Sequence, residues 1–208
     1  MLSLLFSKEA NNEIESFWKD FLSSQQGSGV SYKTKKQEGT FFSPYQFSLF
    51  SNTLCQDFMV FYEASPLKVR LRSYKVELTW VCENPSWSKF VLMRENAEES
   101  EYYNLKQLKT DIKHFDNNFL LFVSSNQLMY KLKELCKQAL LLKSIGVEQV
   151  ILERHRFSIC LSRFPKGLAA EVDLKELFNL GQRIARLFGR EDERSNTSEE
   201  GQEFALAI

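Results

Sequence analysis

Residues 67–82 read LKVRLRSYKVELTWVC, and in this segment apolar side chains alternate with charged or hydroxylated ones. A period of two is typical of a β-strand with one buried face and one face in water. The alternation changes phase across Arg72 and Ser73, which indicates either a bulge in one long strand or a two-residue hairpin. Arg-Ser lacks the Gly or Asn that tight hairpin turns favour, so the pattern favours one long, bulged strand.

Shorter strand-like segments precede and follow this one. They are residues 30–36, 41–50, 57–64, 89–94 and 119–123. Two more, residues 147–152 and 157–161, flank the polar group 153–156 and predict a hairpin. Successive strands joined by short turns predict an antiparallel meander.

Helical periodicity marks four segments. In residues 7–25 one apolar stripe is formed by Ile14, Phe17, Trp18, Phe21 and Leu22, and we expect this stripe to pack on the sheet. Leu105, Leu108 and Ile112 predict a short helix that ends near Asp116, Asn117 and Asn118. Residues 124–146 begin with a capping box at Ser124 and Gln127 and end at Gly146, which predicts one long helix. Its stripe consists of Leu128, Leu132, Leu135, Cys136, Ala139 and Leu142. Asp173 and Glu176 predict the start of a last helix that Gly189 closes.

The order of these elements predicts an α+β fold, in which an antiparallel meander sheet carries an N-terminal helix and two C-terminal helices. Residues 1–189 are predicted to form a single α+β domain. If that domain divides, the acidic loop after residue 97 separates sub-lobes 1–97 and 102–189. Residues 190–208 are predicted to be a disordered acidic tail.

Charge and hydropathy reduce the number of functional classes to which this protein could belong. The 208 residues contain 27 basic and 27 acidic side chains, which removes any overall electrostatic attraction to nucleic acid or an anionic membrane. Residues 190–208 hold two basic and six acidic residues, a net charge of −4, so the rest of the chain carries about +4. No apolar run approaches the ~18 residues of a membrane span.

The reactive side chains form no familiar catalytic or metal-binding pattern. Cysteines stand at positions 55, 82, 136 and 160 without paired spacing, which argues against a zinc site and fits a reducing cytoplasm. His155 is the histidine to consider with Cys160 or Cys136 as a nucleophile pair. Because His155 falls at a predicted hairpin tip and Cys160 is expected to face inward on a strand, the two should point apart. The sequence therefore predicts no catalytic residue, metal or cofactor.

Two basic surfaces are the candidate binding sites. The first is the wet face of the long strand, at Lys68, Arg70 and Arg72, and the second is the hairpin tip, at Arg154, His155 and Arg156. Basic residues beside exposed aromatics can bind an acidic protein or single-stranded nucleic acid. On an edge strand they also prevent sheet-to-sheet aggregation, which is a purely structural role. The neutral chain favours a protein partner over nucleic acid.

One resemblance accompanies these patterns. Thr79-Trp80-Val81, then Pro85, then FVLMRE at residues 90–95, resembles the middle of an uncharacterised bacterial protein family of unknown function. The strand, helix and hairpin order over residues 119–161 is similar to the second half of that family. Its members often carry membrane helices before this region. The resemblance implies a bacterial domain and assigns no activity and no catalytic residues.

Two hypotheses of function follow. The first is a non-catalytic α+β protein that acts by binding another macromolecule. The second is an enzyme or small-ligand protein with an unfamiliar site in a pocket between the sheet and the helices.

Overall fold

The computed structural model describes residues 8–26, 31–37, 45–52, 57–67, 71–82, 84, 86–95, 104–162 and 168–189. Nine strands and five α-helices lie within these residues. The strands are β1 Ser31–Gln37, β2 Tyr45–Asn52, β3 Asp57–Leu67, β4 Leu71–Val81, β5 Phe90–Arg94, β6 Lys106–Leu108, β7 Phe119–Val123, β8 Val147–Glu153 and β9 Arg156–Leu161. The helices are α1 Lys8–Gln26, α2 Lys113–Asp116, α3 Met129–Lys137, α4 Ala139–Ile145 and α5 Leu168–Gly189.

The described strands join one sheet in the order β1-β2-β3-β4-β9-β8-β5-β7-β6, and every neighbouring pair is antiparallel. The first four strands follow the chain order and form the predicted meander. The other five strands do not follow the chain order. Strand β9 pairs with β4, and strand β5 lies between β8 and β7. The predicted α+β class, with an antiparallel sheet, an N-terminal helix and C-terminal helices, is confirmed.

Alternating residues of the central strands form the core beneath the helices. Val76, Leu78 and Trp80 of β4 are fully buried, as the period of two predicts. Their partners across the β4–β9 pair are Leu161, Ile159 and Phe157, which are buried as well. On the other face of the same pair, the buried hydroxyls of Thr79 and Ser158 lie 2.9 Å apart and form a hydrogen bond. This bond satisfies two polar groups that burial would otherwise penalise.

The N-terminal helix packs into the same core, as its apolar stripe predicts. Trp18 and Leu22 are fully buried, and they belong to one cluster with Leu49 of β2. The ring of Phe21 lies edge-on to that of Phe178 of α5, with 5.7 Å between centroids. Helix α1 therefore covers the sheet beside α5. No described helix combines the length and the apolarity that crossing a membrane requires.

The prediction of one long, bulged strand over residues 67–82 is wrong. Strand β3 continues through Pro66 to Leu67, and β4 starts at Leu71, opposite Leu67 in an antiparallel pair. The chain therefore reverses between Leu67 and Leu71, before the phase change at Arg72 and Ser73, and β4 runs through that phase change without a bulge in its pairing with β3. The connecting residues 68–70 lie outside the described part of the chain.

The short helix predicted to start at Leu105 and end near Asp116 is wrong in its first part, although a helical turn does end at Asp116. Residues Lys106–Leu108 form the edge strand β6, with Leu108 opposite Leu121 of β7. The helical turn α2 follows at Lys113–Asp116. Leucines at positions 105 and 108 fit a helical period, but pairing with β7 overrides a pattern this short.

The segment 124–146 is helical but interrupted. A 3-10 turn at Asn126–Leu128 precedes α3, and α4 begins after a break at Gln138. The cap is Ser125, whose hydroxyl accepts from the amide of Gln127, and not Ser124, whose Oγ accepts from the amide of Lys89. The predicted stripe from Leu128 to Leu142 is buried throughout, and Gly146 takes the left-handed conformation (φ 84°) that ends α4.

The last helix starts earlier than its acidic residues indicate. Helix α5 runs from Leu168 to Gly189, so Asp173 and Glu176 lie inside it and are not its caps. The Oδ2 atom of Asp173 instead accepts a hydrogen bond of 3.0 Å from the hydroxyl of Ser144 in α4. The sequence also predicts an apolar stripe on this helix, and the structure buries all of its members: Leu174, Leu177, Phe178, Gly181, Ile184, Ala185 and Phe188.

Candidate functional site

The hairpin between β8 and β9 ends in a two-residue turn at Arg154 and His155, closed by the pair Glu153 and Arg156. All four residues are exposed. The structure therefore contains the predicted hairpin, and the basic residues of its turn are exposed. Arg154 has a φ of 53°, in the left-handed region that a residue with a side chain rarely occupies.

A buried asparagine holds this turn against the loop that follows β4. The side-chain amide of Asn84 donates to the carbonyl of Ser88 at 2.9 Å and to that of Arg154 at 2.7 Å. Its Oδ1 accepts from the amide of Ser88 at 3.1 Å. The amide of Cys82 donates to the carbonyl of His155 at 2.9 Å. The two bonds to Ser88 hold the loop itself, and the two to Arg154 and His155 join it to a turn about 70 residues away in the sequence.

The loop after β4, which these hydrogen bonds anchor, exposes a tryptophan to solvent. Trp87 is 63% exposed, and its ring centroid lies 5.7 Å from that of His155 at an angle of 59°. Its backbone is also left-handed, with φ at 50°, as is that of Asn84 at 41°. Each non-glycine residue in this region costs about 1–3 kcal/mol, so the hydrogen bonds to Asn84 hold a strained loop in place.

Basic residues flank Trp87 in its own loop and in the turn that the loop contacts. We call the group Trp87, Lys89, Arg154, His155 and Arg156 the basic tip. The ammonium of Lys89 lies 3.5 Å from a carboxylate oxygen of Glu153, and both side chains are well exposed. Neither Arg154 nor Arg156 forms an ion pair with any residue that the structure describes. The tip therefore keeps uncompensated positive charge beside an exposed aromatic ring.

The side chains of the other predicted basic surface lie outside the described part of the chain. Lys68 and Arg70 lie outside the described residues, and so does the side chain of Arg72, which stands opposite Pro66 in the sheet.

Sequence reasoning missed three members of the site: Trp87, Asn84 and Lys89. The turn signal at Asn84-Pro85-Ser86 marks a loop, but nothing in the local sequence brings that loop to the β8–β9 hairpin. The contact arises because β9 pairs with β4 and aligns their ends. A lone tryptophan within a polar loop is the signal that could have drawn attention to residue 87.

Of the four cysteines, Cys82, Cys136 and Cys160 lie in the described part of the chain, and none of these three is placed to act as a nucleophile with His155. Burial raises the pKa of Cys82 to about 11, and burial together with the negative charge of Asp116 raises that of Cys136 to about 12. Both thiols therefore stay protonated near neutral pH. Cys160 is partly exposed, on the face of β9 opposite Phe157 and Ile159, so the prediction that it faces inward is wrong. Within the described chain His155 is in the turn, several residues along the strand from Cys160.

A second concave feature lies between α4 and α5. This cleft has a volume of about 550 Å³ and is lined by Gln138, Leu141, Glu176, Asn179, Leu180, Gln182, Arg183 and Arg186. Arg183 forms an ion pair with Glu134 of α3 at 3.4 Å. The cleft lies between helices, whereas the sequence hypothesis placed a pocket between the sheet and the helices. In the described ranges no three His, Cys, Asp or Glu side chains come together as a metal site.

Comparisons with known proteins show a limited likeness. No protein-family model matches the sequence, and no curated protein matches it at a significant level. Among solved structures, the chain is similar to the mycobacterial trehalose monomycolate transport factor A, TtfA. The sequences are 10% identical, the alignment covers 82% of this chain and 89% of that one, and the TM-score is 0.43.

Proposed function

We propose that this protein is a non-catalytic interaction domain that binds an acidic segment of a partner protein through the basic tip. The bacterial, cytoplasmic setting that the sequence predicts belongs to the same proposal. The observation that carries it is the exposure of Trp87 on a loop that hydrogen bonds hold rigid.

An exposed tryptophan next to arginines is the composition of a binding hot spot. Trp and Arg are enriched among the residues that dominate the energy of protein interfaces. The chain has three tryptophans, and the structure fully buries Trp18 and Trp80 while leaving Trp87 63% exposed. Burying an aromatic of this size against a partner would recover the hydrophobic free energy that the exposed ring leaves unused in the folded chain.

The backbone of the tip is arranged before any partner arrives. Asn84, Trp87 and Arg154 have positive φ. The buried side-chain amide of Asn84 bonds to Arg154 and Ser88, and the backbone amide of Trp87 donates to the carbonyl of Asn84. Strained backbone of this kind concentrates at functional positions. A site that is already ordered loses less conformational entropy on binding, so a small surface can reach useful affinity.

The charge of the tip selects an acidic partner. Lys89, Arg154 and Arg156 oppose the single carboxylate of Glu153 in the described tip. Nucleic-acid strands are bound by a basic groove with several stacking aromatics in series. One aromatic ring with a few cations at the end of a hairpin fits a short acidic peptide better.

The test uses Trp87 as its own reporter. We expect a synthetic peptide of Glu and Phe residues to change the tryptophan emission, with an affinity that falls as salt rises, because exposed charges are screened beyond about 8 Å at physiological ionic strength. The double substitution R154Q/R156Q should weaken this binding at least tenfold. W87F, which keeps an aromatic ring, should bind better than W87A in calorimetry.

The matched control is K133Q/K137Q, which removes two exposed charges from α3 and should leave the affinity unchanged. Binding that persists in R154Q/R156Q, or no binding of the peptide at all, would overturn the proposal. Tighter binding of a single-stranded oligothymidylate than of the peptide would assign the tip to nucleic acid instead.

A further inference from the structure

Helices α3 and α4 together lie antiparallel to α5, and two polar contacts show this arrangement. The hydroxyl of Ser144 in α4 donates to a carboxylate oxygen of Asp173 in α5 at 3.0 Å. Further along, Arg183 of α5 lies 3.4 Å from a carboxylate oxygen of Glu134 in α3. Between these contacts Gln138 interrupts the helix, with a ψ of 21°. Gln138 also lines the cleft of about 550 Å³ described above, so the cleft lies at this break.

Polar side chains form most of the lining of the cleft. Six of the eight lining residues are polar or charged, and Leu141 and Leu180 are the two apolar ones. The side-chain amides of Gln138, Asn179 and Gln182 form no hydrogen bond with any residue that the structure describes. Each amide offers two N–H donors and a carbonyl acceptor. The cleft therefore suits a polar ligand, and its volume lies within the range of about 300–1,000 Å³ that is usual for small-molecule sites.

The charges of the cleft are separated along α5. Glu176 lies nearer the start of the helix, and Arg183 and Arg186 come about two and three turns later. At a rise of 1.5 Å per residue, these arginines lie roughly 10 and 15 Å from Glu176 along the helix axis. The cleft is therefore negative at one end and positive at the other, and Asn179 lies between them.

Both guanidinium groups at the positive end are available to an anion. Arg183 and Arg186 are one turn apart on α5, so they share a face of the helix. The contact of Arg183 with Glu134 is longer than the roughly 2.7–2.9 Å of a strong charge-assisted hydrogen bond, and both side chains are about half exposed. Such a pair contributes little to stability, so a more highly charged anion can displace Glu134. Arg186 forms no ion pair with any described residue.

We propose that this cleft binds a small phosphate ester whose organic part carries hydroxyl groups. The phosphate lies between Arg183 and Arg186, because the planar guanidinium group matches phosphate oxygens with two parallel hydrogen bonds. The hydroxyl groups extend along α5 toward Asn179 and Glu176. A carboxylate there accepts hydrogen bonds from hydroxyl groups and repels a second anion, which fixes the orientation of the ligand. The site shares no residue with the basic tip and does not depend on the proposed function.

The test measures binding of ribose 5-phosphate to the full chain by calorimetry, with inorganic phosphate and ribose as comparison ligands. We expect ribose 5-phosphate to bind more tightly than inorganic phosphate, and ribose not to bind. R183Q/R186Q should lower the affinity about tenfold or more, because it removes both charged donors. R183K/R186K keeps the charges but not the paired donors, so its affinity should lie between those of the native chain and R183Q/R186Q.

Two acidic positions separate ligand binding from a purely structural role of the arginines. E134Q removes an ion pair of the folded protein but frees Arg183, so it should tighten binding, by up to about fivefold. E176Q should weaken binding of ribose 5-phosphate and leave that of inorganic phosphate unchanged. The matched control K106Q/K109Q removes two exposed charges at the β6 edge and should leave every affinity unchanged.

Three results would overturn the proposal. The first is equal affinity of R183Q/R186Q and the native chain, or no binding of either phosphate compound. The second is loss of binding in R154Q/R156Q instead, which would place the anion at the basic tip. The third is equal affinity for inorganic phosphate and ribose 5-phosphate, which would mean that the cleft does not recognise the hydroxyl groups.

Discussion

At the scale of single residues, Gly181 of α5 lies against the indole ring of Trp80 in β4. A Cβ atom built on Gly181 would lie 2.3 Å from Cη2 of that ring, far inside van der Waals contact. The indole ring has little room to move away, because the ring centroids of Phe157 and Phe178 lie 5.6 and 5.7 Å from its own centroid. The missing side chain therefore determines how closely α5 approaches the sheet.

We expect Gly181→Ala to destabilise the protein although alanine is the better helix former. The gain in helix propensity is about 1 kcal/mol, whereas overpacking a core costs about 1–3 kcal/mol and occasionally more. Urea unfolding measures the difference. Asn179→Ala, an exposed change in the same helix, should stay within about 0.5 kcal/mol of the native chain.

The double variant G181A/W80F tests the cause. Phenylalanine lacks the ring atoms that the new methyl group would meet, so the two changes together should cost less than the sum of their separate effects. Unchanged stability in G181A would show that the helix can shift to admit the methyl group.

At the scale of elements, the N-terminal helix is attached to the first strand by an ion-pair cluster as well as by its aromatic stripe. Glu15 of α1 pairs with Lys19 of the same helix at 2.7 Å and with Lys36 of β1. Partial burial acts to raise the pKa of Glu15, but hydrogen bonds and charge from the two lysines outweigh it and hold that pKa below its ordinary value.

The contribution of Glu15 to stability should therefore disappear in acid. In the unfolded chain the carboxyl group titrates near 4.5, and in the folded chain it titrates lower. The folded state thus gains stability at pH values above 4.5, and it loses this gain as the pH falls through the folded pKa. We expect E15Q to be less stable than the native chain near pH 7 and equally stable near pH 2.

Urea midpoints across this pH range measure the effect, with E171Q as the control for an exposed acid on α5. A difference between E15Q and the native chain that is constant with pH would mean that Glu15 stabilises the helix by packing alone.

At the scale of the whole molecule, the sheet joins strands from both sides of the acidic loop. Strand β4 pairs with β9, and β5 pairs with β8, so hydrogen bonds cross between residues 1–97 and 102–189. Helix α5 also packs on β4 through Gly181 and Trp80. We propose on these grounds that residues 1–189 are a single domain.

A single domain should unfold in one cooperative step. The tryptophans report on residues 1–97, and the helices α3 to α5 give a large part of the far-ultraviolet circular dichroism from residues 102–189. Urea transitions followed by the two signals should therefore coincide. Midpoints that differ between the two signals would instead support separate sub-lobes.

The sequence by itself determined the elements whose periodicity is long or strongly apolar. Trp18, Phe21 and Leu22 of α1 and the stripes of α3 with α4 and of α5 are buried as predicted, because a surface of large apolar side chains has to be removed from water whatever its partner is. The parity of Val76, Leu78 and Trp80 and the β8–β9 hairpin follow from equally local signals. The same sequence patterns predicted the α+β class and the exposed position of Arg154, His155 and Arg156.

Only the tertiary structure decided where the chain reverses between β3 and β4, that residues 106–108 form an edge strand, and which loop meets the β8–β9 turn. In each case the deciding interaction joins residues far apart in sequence or depends on a turn whose residues lack a strong preference. Trp87 shows the consequence for function. Its loop has no distinctive sequence, and Trp87 joins the proposed site only because the pairing of β9 with β4 brings Asn84 within hydrogen-bonding distance of Arg154.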